Sequence, residues 1–346
     1  MVQEKNRLSI KEIAKLADVS VATVSRVINN NGRFSKETRD RVQAVIDEYG
    51  YTTNMAAKSL RMSKSKSIGL IVTTLDNEFF AHLILEIENY FFEKNYSVFI
   101  CNTSQNQEKE MAYFKSLDAK LVDGIICISG FEEIPSHLIT RNIPIVCIDR
   151  KPRNHQDVYY VESNHYSGGY LATEELIKQG CKKIAIIAKP EFLSVNKQRL
   201  DGYRQALKDY GIERNPDLEL YIDESYGNVE GARRAMNSLI QSGIEFDGVF
   251  GTNDWRAYGA LNALKENNCK VPDDVKLIGF DDIYIAQASY PSMSTIKQNV
   301  PGLAITASSL LLNLMNEVDI GDDDEKHYIL PVQVIRRNST QNTIDE

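Results

Sequence analysis

The stretch Ser20–Asn29, SVATVSRVIN, carries the most information about the architecture of this protein. Ser20 is a residue type that caps helix N-termini. Apolar residues then recur at the spacing of one helix face, at Val21, Val24, Val27 and Ile28. The other positions carry small, hydroxylated and basic side chains, which a helix that served only the core would not need. The stretch therefore predicts a short helix with one buried stripe and one polar face.

Two further predicted helices flank this stretch, one on each side. Ser9 and Glu12 have the spacing Ser-x-x-Glu, a capping box that opens the first helix. Ser35 caps a longer helix that ends at Gly50, and the run 29–32, NNNG, separates it from the central helix. Two short helices that a tight turn separates and a third helix braces are the helix-turn-helix pattern.

From residue 68 onward the sequence alternates short β-rich runs with amphipathic stretches of helical spacing. The β-rich runs are 68–72, 96–101, 122–128 and 143–149, and then 183–188, 218–222, 247–251 and 275–281. Such alternation predicts parallel sheets that helices cover on both faces, and the restart midway predicts two α/β lobes. Ligands of such sheets bind beyond the carboxyl ends of the strands, where Asp149, Asn253 and Asp281 follow apolar runs.

Charge is unevenly distributed along the chain. The net charge is −8, yet residues 1–66 hold 13 Lys and Arg against 7 Asp and Glu. A basic head on an acidic body favours a polyanionic partner for the head alone. No apolar run approaches the ~20 residues of a membrane span, and the charged N-terminus lacks the apolar core of a signal peptide. With five scattered cysteines and no C-x-x-C, we expect a cytoplasmic protein that contacts no membrane.

Motifs of common enzymes and metal sites are missing from the sequence. It contains no G-x-G-x-x-G loop, no Walker lysine loop and no G-x-S-x-G, and its five histidines share no ligand spacing. We therefore predict no enzymatic activity, no cofactor and no metal site. The carboxylate pair Asp281 and Asp282 is better explained by one ligand contact and one helix cap than by acid–base catalysis.

The segment 9–60 resembles the DNA-binding head of the LacI/GalR family of bacterial transcription regulators. The resemblance is densest in V-S-x-x-T-V-S-R-V-I-N from Val19 onward, and it continues over the whole chain with DGII, IPIVCIDR, GTND, LIGFDD and STIKQ in the family's order. It implies a small all-α helix-turn-helix head plus an α/β periplasmic-binding-protein-like body of two doubly wound parallel-sheet lobes. It also implies a homodimer that binds double-stranded operator DNA.

The same resemblance implies the domain boundaries. The head would span 1–52, and the hinge helix and linker 53–66. The N-terminal effector-binding lobe would span 67–161 plus 296–323, and the C-terminal lobe 162–295 plus 324–346. Crossover strands would join the two lobes, with an effector in the cleft between them.

The resemblance explains the polar face of the central helix, because a recognition helix needs one bare face that fits the major groove. Val21 and Ala22 match the positions that chiefly set operator preference in this family, and Arg26 can read guanine in bidentate fashion. The expected DNA contacts on this helix are Ser20, Val21, Ala22, Thr23, Ser25, Arg26 and Asn29.

The segment 54–61, NMAAKSLR, resembles the family's hinge helix, which enters the minor groove in pairs. Leu60 matches the apolar wedge that unstacks the central base step and bends the DNA. Ala57 matches the small residue at which the paired hinge helices approach. Thr53 departs from the family, whose members usually carry Pro at this position.

The family's effector site corresponds to strand ends and one early loop of this sequence. A sugar needs carboxylates and amides for its hydroxyls and an aromatic face for its C–H surface. The implied effector contacts are Asn77, Phe79, Phe80, Asp149, Arg150, Arg199, Tyr226, Asn253, Asp281 and Gln298. Trp255 and Arg256 depart from the family pattern, which usually has Glu or Gln and Met there.

This set favours a repressor of a carbohydrate-utilisation operon that a sugar or sugar phosphate releases from its operator. Purine-responsive members carry a different pattern in the cleft loops. A catabolite-control regulator with a phosphorylated carrier protein as corepressor is the alternative within the family, and the presence of Arg199 argues against it. A solute-binding protein without DNA function is the alternative of another class, and the head argues against that.

Overall fold

The computed structural model describes residues 8–51, 64–128, 130–131, 133–134, 140–151, 153, 158–190, 194–318 and 326–341. The chain divides into two compact units, Met1–Ser65 and Lys66–Glu346, which are the head and the body. Within the described ranges, no helix is both long and apolar enough to cross a membrane.

Three helices build the head, as the sequence predicts. They are α1 Ile10–Leu16, α2 Val21–Ile28 and α3 Lys36–Tyr49. Ser9, Ser20 and Ser35 cap them by accepting hydrogen bonds from backbone N–H groups three residues further on. Gly50 ends α3 in the left-handed conformation, with φ +61°, which glycine adopts without steric cost.

The core of the head is small and apolar. It consists of Ile13, Ala14, Ala17, Val24, Val27 and Val42. The prediction that Val21 belongs to the buried stripe of α2 is wrong, because its side chain is 38% exposed. Val21 is the first residue of the helix and lies beyond the turn that packs against α1 and α3, so it is free to contact a partner.

Six parallel strands form the sheet of the N-terminal lobe, in the order β11-β5-β4-β3-β1-β2. They are β1 Ser67–Val72, β2 Ser97–Asn102, β3 Gly124–Ile128, β4 Ile145–Ile148, β5 Tyr159–Ser163 and β11 His327–Leu330. Helices α4 Glu78–Phe92 and α11 Val300–Met315 cover one face. Helix α5 Gln107–Ala119 covers the other through Phe114 and Leu117.

The C-terminal lobe repeats this plan with one antiparallel edge, between β10 and β12. Its order is β12-β10-β9-β8-β6-β7, with β6 Ile184–Ala188, β7 Glu219–Tyr221, β8 Gly248–Gly251, β9 Lys276–Asp281, β10 Ser294–Lys297 and β12 Gln333–Ile335. Helices α6 His165–Lys178 and α7 Ser194–Asp209 pack on one face. Helices α8 Gly227–Ser242 and α9 Asp254–Glu266 pack on the other, and α10 Tyr284–Ala288 follows β9.

The predicted doubly wound lobes are confirmed, and each of the eight predicted β-rich runs contains a strand. The implied lobe boundaries need correction at three places, because the chain crosses between the sheets after β5, β10 and β11. Strand β5 keeps residues 162–163 in the N-terminal lobe, and β10 keeps residues 296–297 in the C-terminal lobe.

The third correction concerns the tail, which the resemblance placed wholly in the C-terminal lobe. Residues 327–330 instead pair in parallel with β5, and the Asn164 N–H donates to the Leu330 carbonyl. The chain then crosses to β12 in the other sheet. The run 329–337, ILPVQVIRR, is therefore split between the two lobes.

Candidate functional sites

The exposed face of α2 carries the side chains that the sequence singled out for DNA. Val21, Ala22, Arg26 and Asn29 are exposed, whereas Thr23 and Ser25 are half-buried. The Ser20 hydroxyl accepts from the Thr23 N–H at 3.1 Å, so Ser20 is also the helix cap. The face is therefore apolar at its N-terminal end and polar or basic further along. Ala57 and Leu60 lie outside the described residues.

Arg199 of α7 is the centre of a polar cluster in the body. Its side chain is 8% exposed, and its guanidinium lies over the Phe280 ring, with 3.6 Å between the Arg199 Cζ and the ring centroid. Its Nη1 donates to the Thr252 carbonyl, and its Nη2 lies 3.6 Å from Asp281 Oδ1. Burial lowers the pKa of Arg199, although Asp281 and Asp149 oppose this, and a guanidinium keeps its charge in proteins.

Asp281 ends β9 in a strained conformation beside Gln298. Its φ of +116° is unusual for a residue with a side chain. Its Oδ1 accepts from Gln298 Nε2 at 2.8 Å. Burial raises the pKa of Asp281, against the lowering effect of Arg199 and Gln298. Among the described residues, the buried Gln298 Oε1 finds no hydrogen-bond donor, so an acceptor remains for a ligand hydroxyl.

Asp149 joins this cluster through a histidine that the sequence analysis did not select. Asp149 follows β4 with φ +51°, and its Oδ1 lies 2.9 Å from Nε2 of the fully buried His165. The other ring nitrogen of His165 faces Arg199. The structure thus brings Asp149, Arg199, Asp281 and Gln298 into one chain of polar contacts, with His165 as a link.

Arg150 points to a different partner from its neighbour Asp149. Its Nη2 lies 2.8 Å from Glu110 Oε1 and also donates to the Glu133 carbonyl at 2.8 Å. Burial raises the pKa of Glu110, and the Arg150 charge opposes that rise. Within the described chain, Arg150 Nε and Nη1 are buried without hydrogen-bond partners. Sequence reasoning missed Glu110, which lies in the first turn of an ordinary capped helix.

Asn77 and Asn253 cap helices in this structure. Asn77 Oδ1 accepts from the Phe79 N–H at 3.0 Å at the start of α4, and Asn253 Oδ1 accepts from the Arg256 N–H at 2.8 Å at the start of α9. Both helices begin at carboxyl ends of strands, so a cap can also face the cleft. Phe79 is buried in the core of the N-terminal lobe, and the half-buried Phe80 packs against its edge.

Tyr226 lies at the surface of the body. Its ring is 46% exposed, and the guanidinium of Arg234 covers it at 4.0 Å from the ring centroid. Of the two departures from the family pattern, Trp255 packs against the core of the N-terminal lobe from the start of α9. Arg256 is buried and donates to Thr252 Oγ1 at 2.7 Å.

Asp282 has a structural role that differs from its predicted one. Its Oδ1 accepts from Arg337 Nη2 at 2.6 Å. The following helix α10 begins without a side-chain cap, so the prediction that one carboxylate of the pair caps a helix is wrong. Among the described residues, no three His, Cys, Asp or Glu side chains are arranged to hold a metal ion.

Comparisons with known proteins agree with this architecture. The sequence pattern of bacterial regulatory proteins of the lacI family matches residues 9–54, and that of the periplasmic-binding-protein-like domain matches residues 173–340. Two curated relatives are the HTH-type transcriptional repressor PurR of Histophilus somni strain 129Pt, which is 35% identical over 95% of this chain and 98% of that protein, and the ribose operon repressor of Halalkalibacterium halodurans, which is 31% identical over 96% and 97%.

A solved structure of similar fold is the lac repressor dimer bound to operator and the anti-inducer ONPF. It shares 25% identity, covers 97% of this chain and 99% of its own, and superimposes with a TM-score of 0.84. Since relatives above 30% identity span nearly the whole chain, this protein belongs to the LacI family of bacterial regulatory proteins.

Proposed function

We propose that this protein is a homodimeric repressor of a carbohydrate-utilisation operon, and that a sugar in the cleft of the body releases it from operator DNA. The observation that carries the sugar response is the buried chain Asp149, His165, Arg199, Asp281 and Gln298. The protein carries out no catalysis in this proposal, and it works in the cytoplasm, where the operator lies.

The DNA-binding part of the proposal rests on the bare face of α2. Arg26 is exposed and can donate two parallel hydrogen bonds to guanine O6 and N7. Val21 and Ala22 offer apolar contact to thymine methyls at the helix start. Since one α2 reads one half-site, a dimer would bind a pseudo-palindrome. Leu60 would wedge into the central step of that site, and Ala57 would let the paired hinges approach.

The choice of a sugar follows from the composition of the cluster. Two carboxylates and the free Gln298 oxygen accept hydrogen bonds, which suits a ligand with several hydroxyl donors. The guanidinium groups of Arg150 and Arg199 already have carboxylate counter-charges, because Glu110 pairs with Arg150 and Asp281 with Arg199. An uncharged sugar is therefore favoured over its phosphate, which would need a surplus of positive charge.

The dimer is supported by apolar side chains at the surface of the body. Phe99 and Ile100 are exposed on β2, the edge strand of its sheet, and Leu85 and Phe92 are exposed on the neighbouring helix α4. An edge strand with exposed apolar residues invites pairing with a second chain. A second copy of this chain is the partner that a symmetric operator requires.

The mechanism couples the cleft to the hinge. A sugar that draws the two lobes together would change the spacing of the two hinge segments in the dimer. The hinge sequence 54–61 is short, so its helix would be marginal without its twin and the minor groove. A modest change of spacing would then shift an order–disorder equilibrium. Linkage requires operator DNA to weaken sugar binding by the same factor by which sugar weakens operator binding.

The proposal is tested by operator binding in the presence of sugars. A selection from random DNA should return a pseudo-palindrome, and ribose, fructose, sucrose and glucose are then titrated against that complex and screened by thermal shift. We expect one sugar both to stabilise the free protein and to release the DNA. A protein that selects no DNA sequence, or one whose operator complex ignores every sugar that binds it, would refute the proposal.

A further inference from the structure

His165 is fully buried and lies between a carboxylate and a guanidinium. Its Nε2 is 2.9 Å from Asp149 Oδ1. Its Nδ1 is 3.4 Å from Arg199 Nε and 3.3 Å from Arg199 Nη2. The ring also tilts over Phe280, with 6.0 Å between the ring centroids. The ring therefore has a negatively charged partner at Nε2 and a positively charged partner at Nδ1.

These partners determine which nitrogen carries the proton. Arg199 has only N–H donors to offer, so Nδ1 must accept and cannot carry a hydrogen. The Asp149 carboxylate accepts, so Nε2 carries the proton and donates to it. A neutral His165 of this single tautomer satisfies both neighbours. A ring turned over, or protonated on both nitrogens, would place an N–H against the guanidinium.

The three residues come from both lobes. Asp149 follows β4 of the N-terminal lobe, whereas Arg199 lies on α7 of the C-terminal lobe. His165 is the first residue of α6, directly after the crossover from β5. The hydrogen bond from His165 to Asp149 therefore joins the start of the C-terminal lobe to a strand end of the N-terminal lobe, across the boundary at which the lobes would move.

The side of the histidine that faces Arg199 is held firmly. A Cβ on Gly169 of α6 would lie 2.0 Å from the Arg199 carbonyl, and a Cβ on Gly202 of α7 would lie 2.1 Å from the Tyr166 carbonyl. Two glycines thus allow the backbones of α6 and α7 to approach closely, and this contact keeps His165 beside Arg199. The Asp149 side of the link is then the side that a lobe movement can change.

We propose that His165 is the positioning residue that couples effector contacts in the C-terminal lobe to the position of the N-terminal lobe. It holds the Arg199 guanidinium and the Asp149 carboxylate in one hydrogen-bonded chain. The affinity of Arg199 for a ligand therefore depends on the position of Asp149. This inference rests on the proposed sugar response, and it adds a residue that the pattern of ligand contacts does not contain.

The test compares three variants. His165→Leu removes both hydrogen bonds, whereas His165→Gln retains one amide donor and one carbonyl acceptor. His82→Leu is the matched control, since it removes an exposed histidine that also lies beside a carboxylate, with 3.6 Å between its Nε2 and Glu78 Oε1. For each protein, operator affinity is measured with and without the sugar found for the wild type among ribose, fructose, sucrose and glucose.

We expect the substitutions at His165 to change the ratio of operator affinity without sugar to operator affinity with sugar. Allosteric coupling factors commonly lie between ~5 and ~150, and His165→Leu should bring this ratio close to one while operator affinity without sugar stays within about threefold. His165→Gln should recover most of the ratio, and His82→Leu should leave it unchanged. A normal ratio in His165→Leu overturns the inference. The inference is also overturned if His165→Leu lowers operator affinity without sugar together with the ratio, because that result indicates a general folding defect.

A second measurement needs no sugar and separates this inference from the proposed function. Nitrogen-15 NMR of the histidine rings, with His165→Gln to identify the signal, should show Nε2 protonated and Nδ1 not. Fluorescence of Trp255, the only tryptophan in the sequence, should differ between wild type and His165→Leu. Trp255 lies on α9 of the C-terminal lobe and packs against the core of the N-terminal lobe, so it reports on the contact between them. A protonated Nδ1, or identical fluorescence, overturns the inference even if no sugar acts on the wild type.

Discussion

The head and the body present their polar residues in opposite ways. In the head, Arg26 on α2 and its C-cap Asn29 are exposed, and Asn29 Nδ2 donates to the Ser25 carbonyl four residues earlier. In the body, Arg199 and Asp281 are buried, and their partners come from distant parts of the chain. An exposed face can meet a large, stiff partner such as a DNA groove. A buried cluster suits a small ligand that the protein surrounds.

This difference indicates what a substitution should do in each region. An exposed side chain has little role in stability, so its loss changes binding alone. A buried charge is balanced by its partners, so its loss leaves those partners unpaired. Substitutions on the exposed face of α2 should therefore alter operator affinity only, whereas substitutions in the buried cluster around Arg199 should alter the sugar response.

The largest effect is expected for Arg199→Ala. Since the guanidinium contacts Thr252, His165 and Asp281 together, its removal leaves the centre of the cluster without its donor. The sugar response should vanish, while operator affinity without sugar stays within about threefold of the wild type. Fluorescence anisotropy of labelled operator, titrated with protein and then with sugar, measures both quantities.

Arg234→Ala is the control for this variant. Arg234 is an exposed arginine that lies over Tyr226 and pairs with Glu230. It should respond to sugar as the wild type does if Tyr226 is no ligand contact. A normal response in Arg199→Ala would show that the effector binds elsewhere.

The next largest effect is expected for Arg26→Ala, in the head. A bidentate contact to guanine is worth about 1–3 kcal/mol, so affinity for the operator should fall roughly 5- to 150-fold, whereas affinity for random DNA falls much less. Sugar binding should not change. Arg41→Ala, on the exposed side of α3, is the comparison within the head. An equal loss on operator and random DNA would mean that Arg26 contacts phosphate and not a base.

Much of the head and of the fold was predictable because the signals are local. Ser9, Ser20 and Ser35 cap helices whose N–H groups lie three residues away, so sequence spacing alone identifies them. Six of the eight runs became buried strands, because buried parallel strands are apolar on both faces, and the other two, β2 and β7, lie at sheet edges. Strands β5, β10, β11 and β12 are not among the eight predicted runs. Of these, β11 is the short run HYIL, which is only partly buried at the sheet edge.

The cluster in the body was only partly predictable for the opposite reason. Asp149 and Asp281 can be identified as candidates because each follows an apolar run, but no sequence pattern singles out His165 or Glu110. Their roles arise from partners that are close in space but far along the chain. Arg199 lies 34 residues from His165, and Arg150 lies 40 residues from Glu110. Tertiary contacts of this kind leave no periodic signal for a single sequence to reveal.

A smaller effect is expected for Asn77→Ala, which decides between a cap and a ligand contact. Loss of an N-cap costs about 1 kcal/mol of folding free energy. Asn106→Ala is the matched control, because Asn106 caps α5 in the same lobe and accepts from the Lys109 N–H at 2.8 Å. If Asn77 only caps α4, both variants should lose similar stability in thermal melts and keep the sugar response. Loss of the response in Asn77→Ala alone would make Asn77 an effector contact.

The smallest effect is expected where buried charge serves stability and no ligand. Glu219 on β7 accepts hydrogen bonds from two arginines, with 2.7 Å between its Oε2 and Arg204 Nη2 and 2.6 Å between its Oε1 and Arg214 Nε. Burial raises the pKa of Glu219, but the hydrogen bonds and charges of the two arginines outweigh it and lower the pKa from 4.5 to about 2. Because the folded-state pKa is the lower one, this stabilisation is fully present above pH 4.5 and is lost as the pH falls towards 2. Glu219→Gln should therefore melt below the wild type at neutral pH, and the gap should close on acidification, with the sugar response intact in both. A gap that stays constant with pH would show that Glu219 stabilises the lobe by packing and not by its charge.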